Sequence, residues 1–289
     1  MTTLNKENVY KKGAKALVSK VKASPDLKGS IRKAVDLIGG LEKVVSSGDR
    51  VIVKPNFNSN DPFPASSDPE FVKAAVSLLY DAGASQVVII ESSGMPWLPT
   101  RNVLDKMGML KAAKECGAEL RVLDGREWVD IEIEGKHWKK VSIAKDALEE
   151  NAKFVWLPCM KTHRYASFSL SLKLAVGILD FKQRRDLHSA FLEEKIAELN
   201  LVVHPDLIIM DGRRCFVTGG PDKGLVEEPN VILASGDRIA IDVEALKILQ
   251  SYKADNKLDM DPWEFPQIRH AVELGLGVKG EDEISVISE

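Results

Sequence analysis

Six short apolar runs limit what this chain can fold into: Val51-Ile52-Val53, Val87 to Ile90, Leu120 to Leu123, Phe154 to Leu157, Leu207 to Met210 and Val231 to Ala234. Continuous runs of this length, rich in β-branched residues, are strands covered on both faces. Helix signals stand between the first three. Asp68 is placed to cap exposed amides, Pro69 suits the first helical position, Phe71 to Tyr80 carry an apolar face, and Gly83 ends the turn. A second helix runs from about Arg101 to Cys116 and stops at Gly117. The order β-α-β-α-β specifies a parallel sheet with crossover helices. The expected fold is a three-layer α/β domain with a mostly parallel sheet, one unit over residues 1–289.

Other segments read differently. Residues 1–48 read as helical, with a break at Ser24-Pro25 and an end at Gly39-Gly40. Val129, Ile131 and Ile133 alternate with acidic residues, Glu134-Gly135 marks a turn, and Val141 and Ile143 alternate again. That pattern is a β-hairpin with one wet face, inserted over about 126–145. Helices are expected at about 169–179, 190–200, 238–249 and 266–274, and a last strand at Ile284 to Ile287.

Composition narrows the function classes. With 289 residues, 44% hydrophobic and 29% charged, the chain has ordinary globular make-up. A formal net charge of -3 gives no basic footprint for nucleic acid. No stretch approaches the roughly 18–20 apolar residues that span a bilayer, and the N-terminus has lysines without the apolar core of a secretory signal. Cys116, Cys159 and Cys215 are scattered, with no C-x-x-C pair. No iron–sulfur cluster is therefore expected, and a cytoplasmic location is. Cys159 and Cys215, near the ends of apolar runs, read as small core residues.

Ligands of open parallel sheets bind beyond the carboxyl ends of the strands, so the residues after each run are the candidates. They are Lys54-Pro55-Asn56, Glu91-Ser92-Ser93-Gly94, Asp124-Gly125, Lys161-Thr162-His163-Arg164, Asp211-Gly212-Arg213 and Ser235-Gly236-Asp237. One polar strand end is ordinary turn chemistry, whereas a series at one edge forms a cleft. Lys54 and Lys161 are anion ligands or, if desolvated, amine bases. His163 and His188 are proton-transfer candidates. His137, His204 and His270 read as structural. The run Gly219 to Gly224 lacks both nucleotide fingerprints and reads as a tight loop whose amides suit an anion. Lys182 to Arg185 is a basic run that reads equally well as a solvated face.

These residues, in this order, resemble the domain of unknown function 362 family. The resemblance rests on Val53-Lys54-Pro55-Asn56, Asp68-Pro69, Ala82-Gly83-Ala84 and Glu91-Ser92-Ser93-Gly94. It continues in Lys161-Thr162-His163, Leu172-Lys173, Gly177-Ile178, Arg184 and His188, then in Pro205-Asp206-Leu207, Asp211-Gly212, Gly220-Pro221 and Asp237. It covers about residues 50–250 and adds Lys173 to the candidates. Where the family tends to have asparagine after that lysine, this chain has Leu174. Many members carry a ferredoxin-type module, whose cysteines this chain lacks. The resemblance implies no particular reaction.

The reading is an enzyme-like protein that acts on or binds a small anionic molecule in a Lys/His/Asp-lined cleft. His163, Lys161 and His188 are the catalytic candidates, and Lys54, Asn56, Glu91, Lys173, Asp211 and Asp237 the binding residues. Two alternatives stand beside it: a non-catalytic ligand-binding, maturation or electron-transfer partner, and a metal-dependent enzyme with Asp and His ligands. Cofactor and oligomeric state are left open.

Overall fold

A computed structural model describes residues 6–94 and 97–289. In chain order the first half comprises β1 (Lys11–Lys12), β2 (Lys15–Lys22), α1 (Leu27–Ile38), β3 (Arg50–Lys54), α2 (Pro69–Asp81), β4 (Gln86–Glu91), α3 (Thr100–Lys106), α4 (Met109–Glu115), β5 (Glu119–Val122), β6 (Trp128–Glu132) and β7 (Lys140–Ala144). Then come β8 (Lys153–Trp156), β9 (Cys159–His163), β10 (Ser167–Ser169), α5 (Ser171–Leu174), α6 (Phe181–Leu187), α7 (Leu192–Leu199), β11 (Leu207–Phe216), β12 (Val226–Glu227), β13 (Val231–Ser235), α8 (Arg238–Ser251), α9 (Pro266–Glu273) and β14 (Ile284–Ser288).

The sheet runs β1-β2-β13-β11-β8-β3-β4-β5. β11, β8, β3, β4 and β5 are mutually parallel, and β3 and β4 are neighbours as the crossover reading requires. Alternate strand residues feed two cores. Val51, Val53, Val87 and Ile89 face α1 to α4, while Ile52, Val88, Ile90 and Trp156 face the side of α5 to α9. That period-two split, with both halves apolar, produces the three layers. Asp68 caps α2 by accepting from Glu70 N, and Pro69 opens it. The hairpin forms a separate two-stranded sheet, with Trp128 opposite Ala144.

Two expectations are corrected. Lys15–Lys22 is a strand, not a helix, because Ala16, Leu17, Val18 and Val21 are buried between β13 and β14; residues 1–5 of that reading lie outside the described residues. The helix expected over Arg101 to Cys116 breaks at Gly108, whose φ of 79° is left-handed. The basic run Lys182 to Arg185, which the residues alone left open, belongs to α6 and is split: Arg184 is buried, while Lys182 and Arg185 stay exposed.

Chain direction in the sheet sets the position of a site. From β3 the chain moves outward through β4 and β5, then returns to β8 on the other side of β3 and continues to β11. The order reverses between β3 and β8, and such a switch point opens a crevice at the carboxyl edge. Opposite it lies α5, a single turn held from outside. The fully buried Asp242 of α8 accepts from Ser171 N at 2.8 Å and Leu172 N at 3.0 Å. Burial pushes its pKa up to about 7 against the pull of those donors. An Asp242→Ala variant leaves both amides unpaired, and urea denaturation should show a loss of about 2–3 kcal/mol.

Candidate functional site

A cavity of about 650 Å³ occupies the crevice. Its walls include Lys54, Asn56, Glu91, Lys161, His163 and Lys173. His188 and Arg184 of α6, Ser169 of β10, and Pro221 and Asp222 of the glycine-rich loop also reach it. Seven of the nine residues proposed from strand ends and resemblance therefore meet at one place. The other two, Asp211 and Asp237, do not line it. Asp211 faces Arg213, which bonds it through Nε at 2.9 Å and Nη2 at 2.7 Å and also reaches Asp68 at 2.7 Å. Asp237 lies at the opposite edge, because β13 runs antiparallel to β11. There it caps α8 and accepts from Val278 N at 3.0 Å.

At the base of the cavity Lys54 and Glu91, the last residues of β3 and β4, form an ion pair at 2.6 Å with both side chains almost wholly buried. Lys54 also donates to Pro55 O at 2.6 Å. Glu91 accepts from Phe57 N and Ser92 N, each at 2.8 Å. Burial presses the Lys54 ammonium below its ordinary value, and Glu91 pulls it back up. A side chain at Gly177 would bring a Cβ to within 2.7 Å of Lys54 Nζ, so glycine is what lets the helical turn approach. Arg184 supports the same corner through Ser93 O at 2.5 Å, Ser92 Oγ at 2.7 Å and Leu179 O at 2.9 Å.

The remaining cations are arranged differently. Lys161 and His163 sit two apart on β9, hence on one face. Lys161 is 1% exposed and its ammonium bonds Ala65 O. Lys173 stands on α5. Among the described residues neither lysine has a carboxylate within ion-pair distance. Burial lowers both, and for Lys173 burial, then Lys161, then Arg184 bring the pKa to about 8.

The two histidines have different roles. His163 Nδ1 accepts from Tyr165 N at 3.2 Å and Ala166 N at 3.1 Å. A ring nitrogen that accepts carries no proton, so His163 is neutral and its Nε2–H is the donor. Burial, reinforced by Lys173 and Lys161, holds it far below the ordinary histidine range. His188 Nδ1 lies 2.7 Å from Arg184 O, which can only accept, so its Nε2 is the site free to take or give a proton.

The loop after β11 completes the wall. Gly220 has φ 70°, and any side chain there would run into Thr162 O. Its own N–H is spent on Lys223 O at 2.7 Å, so that amide is not an anion ligand. Arg164 bonds Gly220 O at 2.8 Å and pairs with Asp222. Reading strand ends included Arg164 in the run after β8 but missed Arg184 and Asp222 as cavity residues. Only the basic run and the glycines marked those stretches.

The fold and site define a doubly wound α/β protein with a cation-rich cleft at its switch point. The chain belongs to the family described as Domain of unknown function (DUF362), whose pattern it matches over residues 51–247. It is 24% identical over 258 residues to the thylakoid-associated protein sll1697 of Synechocystis sp., spanning 86% of this chain and 75% of that one. A crystal structure of a Thermotoga maritima protein superposes with a TM-score of 0.48 and 10% identity, over 80% of this chain and 59% of that one. Among the described residues no helix is long and apolar enough to cross a membrane.

Glu91→Gln should leave Lys54 charged and buried without its partner. Removing one member of a buried pair costs about 3–5 kcal/mol, and guanidinium unfolding should show a loss of that size.

Proposed function

We propose that the cavity binds a small anionic molecule and that the protein acts on it as an enzyme. One observation carries this reading: Lys161, buried, and Lys173, partly buried, stand in one cavity, and among the described residues neither has a carboxylate within ion-pair distance, Asp61 and Asp222 acting on Lys161 only from further off. Uncompensated buried ammonium groups are costly, and a bound carboxylate or phosphate supplies the missing charge. In this reading Lys161 and Lys173 hold the anion, and the neutral His163 donates from Nε2 to a developing negative charge. His188 is the proton-transfer group. Lys54 and Glu91 shape the floor and Asn56 lines it, whereas Asp211 and Asp237 serve elsewhere. A non-catalytic binding protein would keep the same lysines and lack turnover, a difference that assays on the bound molecule separate.

Binding should follow the charge on the lysines. Inorganic sulfate, which does not titrate in this range, is a suitable calorimetric probe. Lys161→Met and Lys173→Met should each weaken it at least tenfold, about 1.4 kcal/mol. Far-UV circular dichroism should stay unchanged, because each substitution removes a charge that has no ion-pair partner among the described residues. Lys173 is protonated below its pKa of about 8. Wild-type affinity should therefore hold at lower pH and fall as pH rises through 8, by up to tenfold per unit, and Lys173→Met should flatten that slope. Unchanged sulfate affinity in both variants would refute the anion site.

We also propose that the protein works without an iron–sulfur cluster, in a reducing compartment such as the cytoplasm. Cys159 and Cys215 are buried free thiols and Cys116 is a third, short of the usual four cluster ligands. The purified protein should be colourless. A brown sample containing acid-labile sulfide would show the opposite.

A further inference from the structure

Away from the cavity, the hairpin turn meets α7 and α9. His137 of the turn, Glu198 of α7 and His270 of α9 place one ligand atom each within 4.8 Å of one another. We infer that these three residues form a binding site for a divalent metal ion of the zinc class.

The spacing fits such an ion. Zinc bonds of about 2.0–2.1 Å in a tetrahedron set neighbouring ligand atoms roughly 3.3 Å apart, and His270 Nε2 lies 3.1 Å from Glu198 Oε1. Two imidazoles and one carboxylate are an established zinc donor set that leaves a fourth position open. Glu198 is fully buried and rigidly aimed. It accepts from Lys136 N at 2.6 Å, His137 N at 2.9 Å and Trp138 N at 2.8 Å. Oε1 takes Lys136 N and His137 N, while Oε2 takes Trp138 N and only a longer contact to His137 N at 3.1 Å, so of about four lone-pair sites one on Oε2 is left for an ion.

The second observation is the environment of His270. Its Nδ1 lies 2.8 Å from Glu273 Oε2 while its Nε2 faces Glu198. A histidine whose outer nitrogen donates to a carboxylate is the usual support of a metal ligand. In the tautomer whose Nδ1–H donates to Glu273, the Nε2 lone pair would point at a carboxylate oxygen, an arrangement that a cation between them resolves. His137 is only partly buried, which leaves a route from solvent. Its ring stacks on Phe191 at 4.2 Å and meets His270 edge-on at 5.8 Å. An ion here fastens the hairpin turn to α7 and α9. Trp138 of that turn donates to Asp186 at 2.9 Å, on the helix that carries Arg184.

The test uses the full chain, stripped with a chelator and titrated with Zn²⁺ in competition with a chromogenic chelator. One equivalent should bind at micromolar or lower concentration and raise the melting temperature. His137→Ala and His270→Ala should each weaken binding at least a hundredfold and abolish the thermal shift. Glu273→Gln should weaken it about 10–100-fold. His137→Ala alters a turn residue outside the main sheet, so circular dichroism should report a native fold even if His270→Ala does not. No stoichiometric binding by the wild type, or equal binding by a folded His137→Ala variant, would overturn the site and leave His270 as an imidazolium between two carboxylates.

Discussion

The buried ion pair between Lys54 and Glu91 is the contact on which the rest of this site depends. It ties together the ends of two adjacent parallel strands at 2.6 Å. Two charges removed from water need both their mutual attraction and further hydrogen bonds to be tolerated. Those bonds come from the chain that follows each strand: Pro55 O, Phe57 N and Ser92 N. Satisfying the pair therefore fixes the path of both loops at the carboxyl edge. Gly177 and Arg184 then close the corner from the other layer.

With that pair neutralised, the charge that remains in the cavity belongs to residues from other elements. Lys161 comes from β9 and Lys173 from α5. The turn that carries Lys173 is held by Asp242, a residue of α8 with no part in the cavity wall. The site is thus assembled from both halves of the sheet and from one facing layer. His163 and His188 show the same dependence on context. One gives up its Nδ1 to two backbone amides, and the other donates from Nδ1 to a carbonyl. Two residues of one type end with different proton positions because their backbone neighbours differ.

Much of the architecture was legible in the residues. The β3-α2-β4 unit followed from apolar runs and from Asp68-Pro69, and the hairpin followed from alternation around Glu134-Gly135. Local signals of this kind depend only on neighbours in the chain. Lys15–Lys22 was misread because Lys-Ala-Leu-Val-Ser-Lys-Val-Lys suits either element. Pairing with β13 and β14, more than 200 residues away, made it a strand. Asp237 was misplaced for a related reason: a run that looks like every other strand turns out antiparallel to its neighbour.

The sequence by itself determined the α/β class, the start and stop of α2, and the list of polar residues presented at strand ends. Those properties arise from periodicity, capping and the conformational limits of proline and glycine, all of which act over a few residues. Only the tertiary structure decided which charges are paired. Lys54 and Lys161 occupy similar positions after apolar runs, yet one meets Glu91 and the other only a carbonyl. His137 and His270, unremarkable in the chain, come together across three elements. Electrostatic partners are chosen by distance through space, and strand order and direction, set by the crossovers, fix those distances.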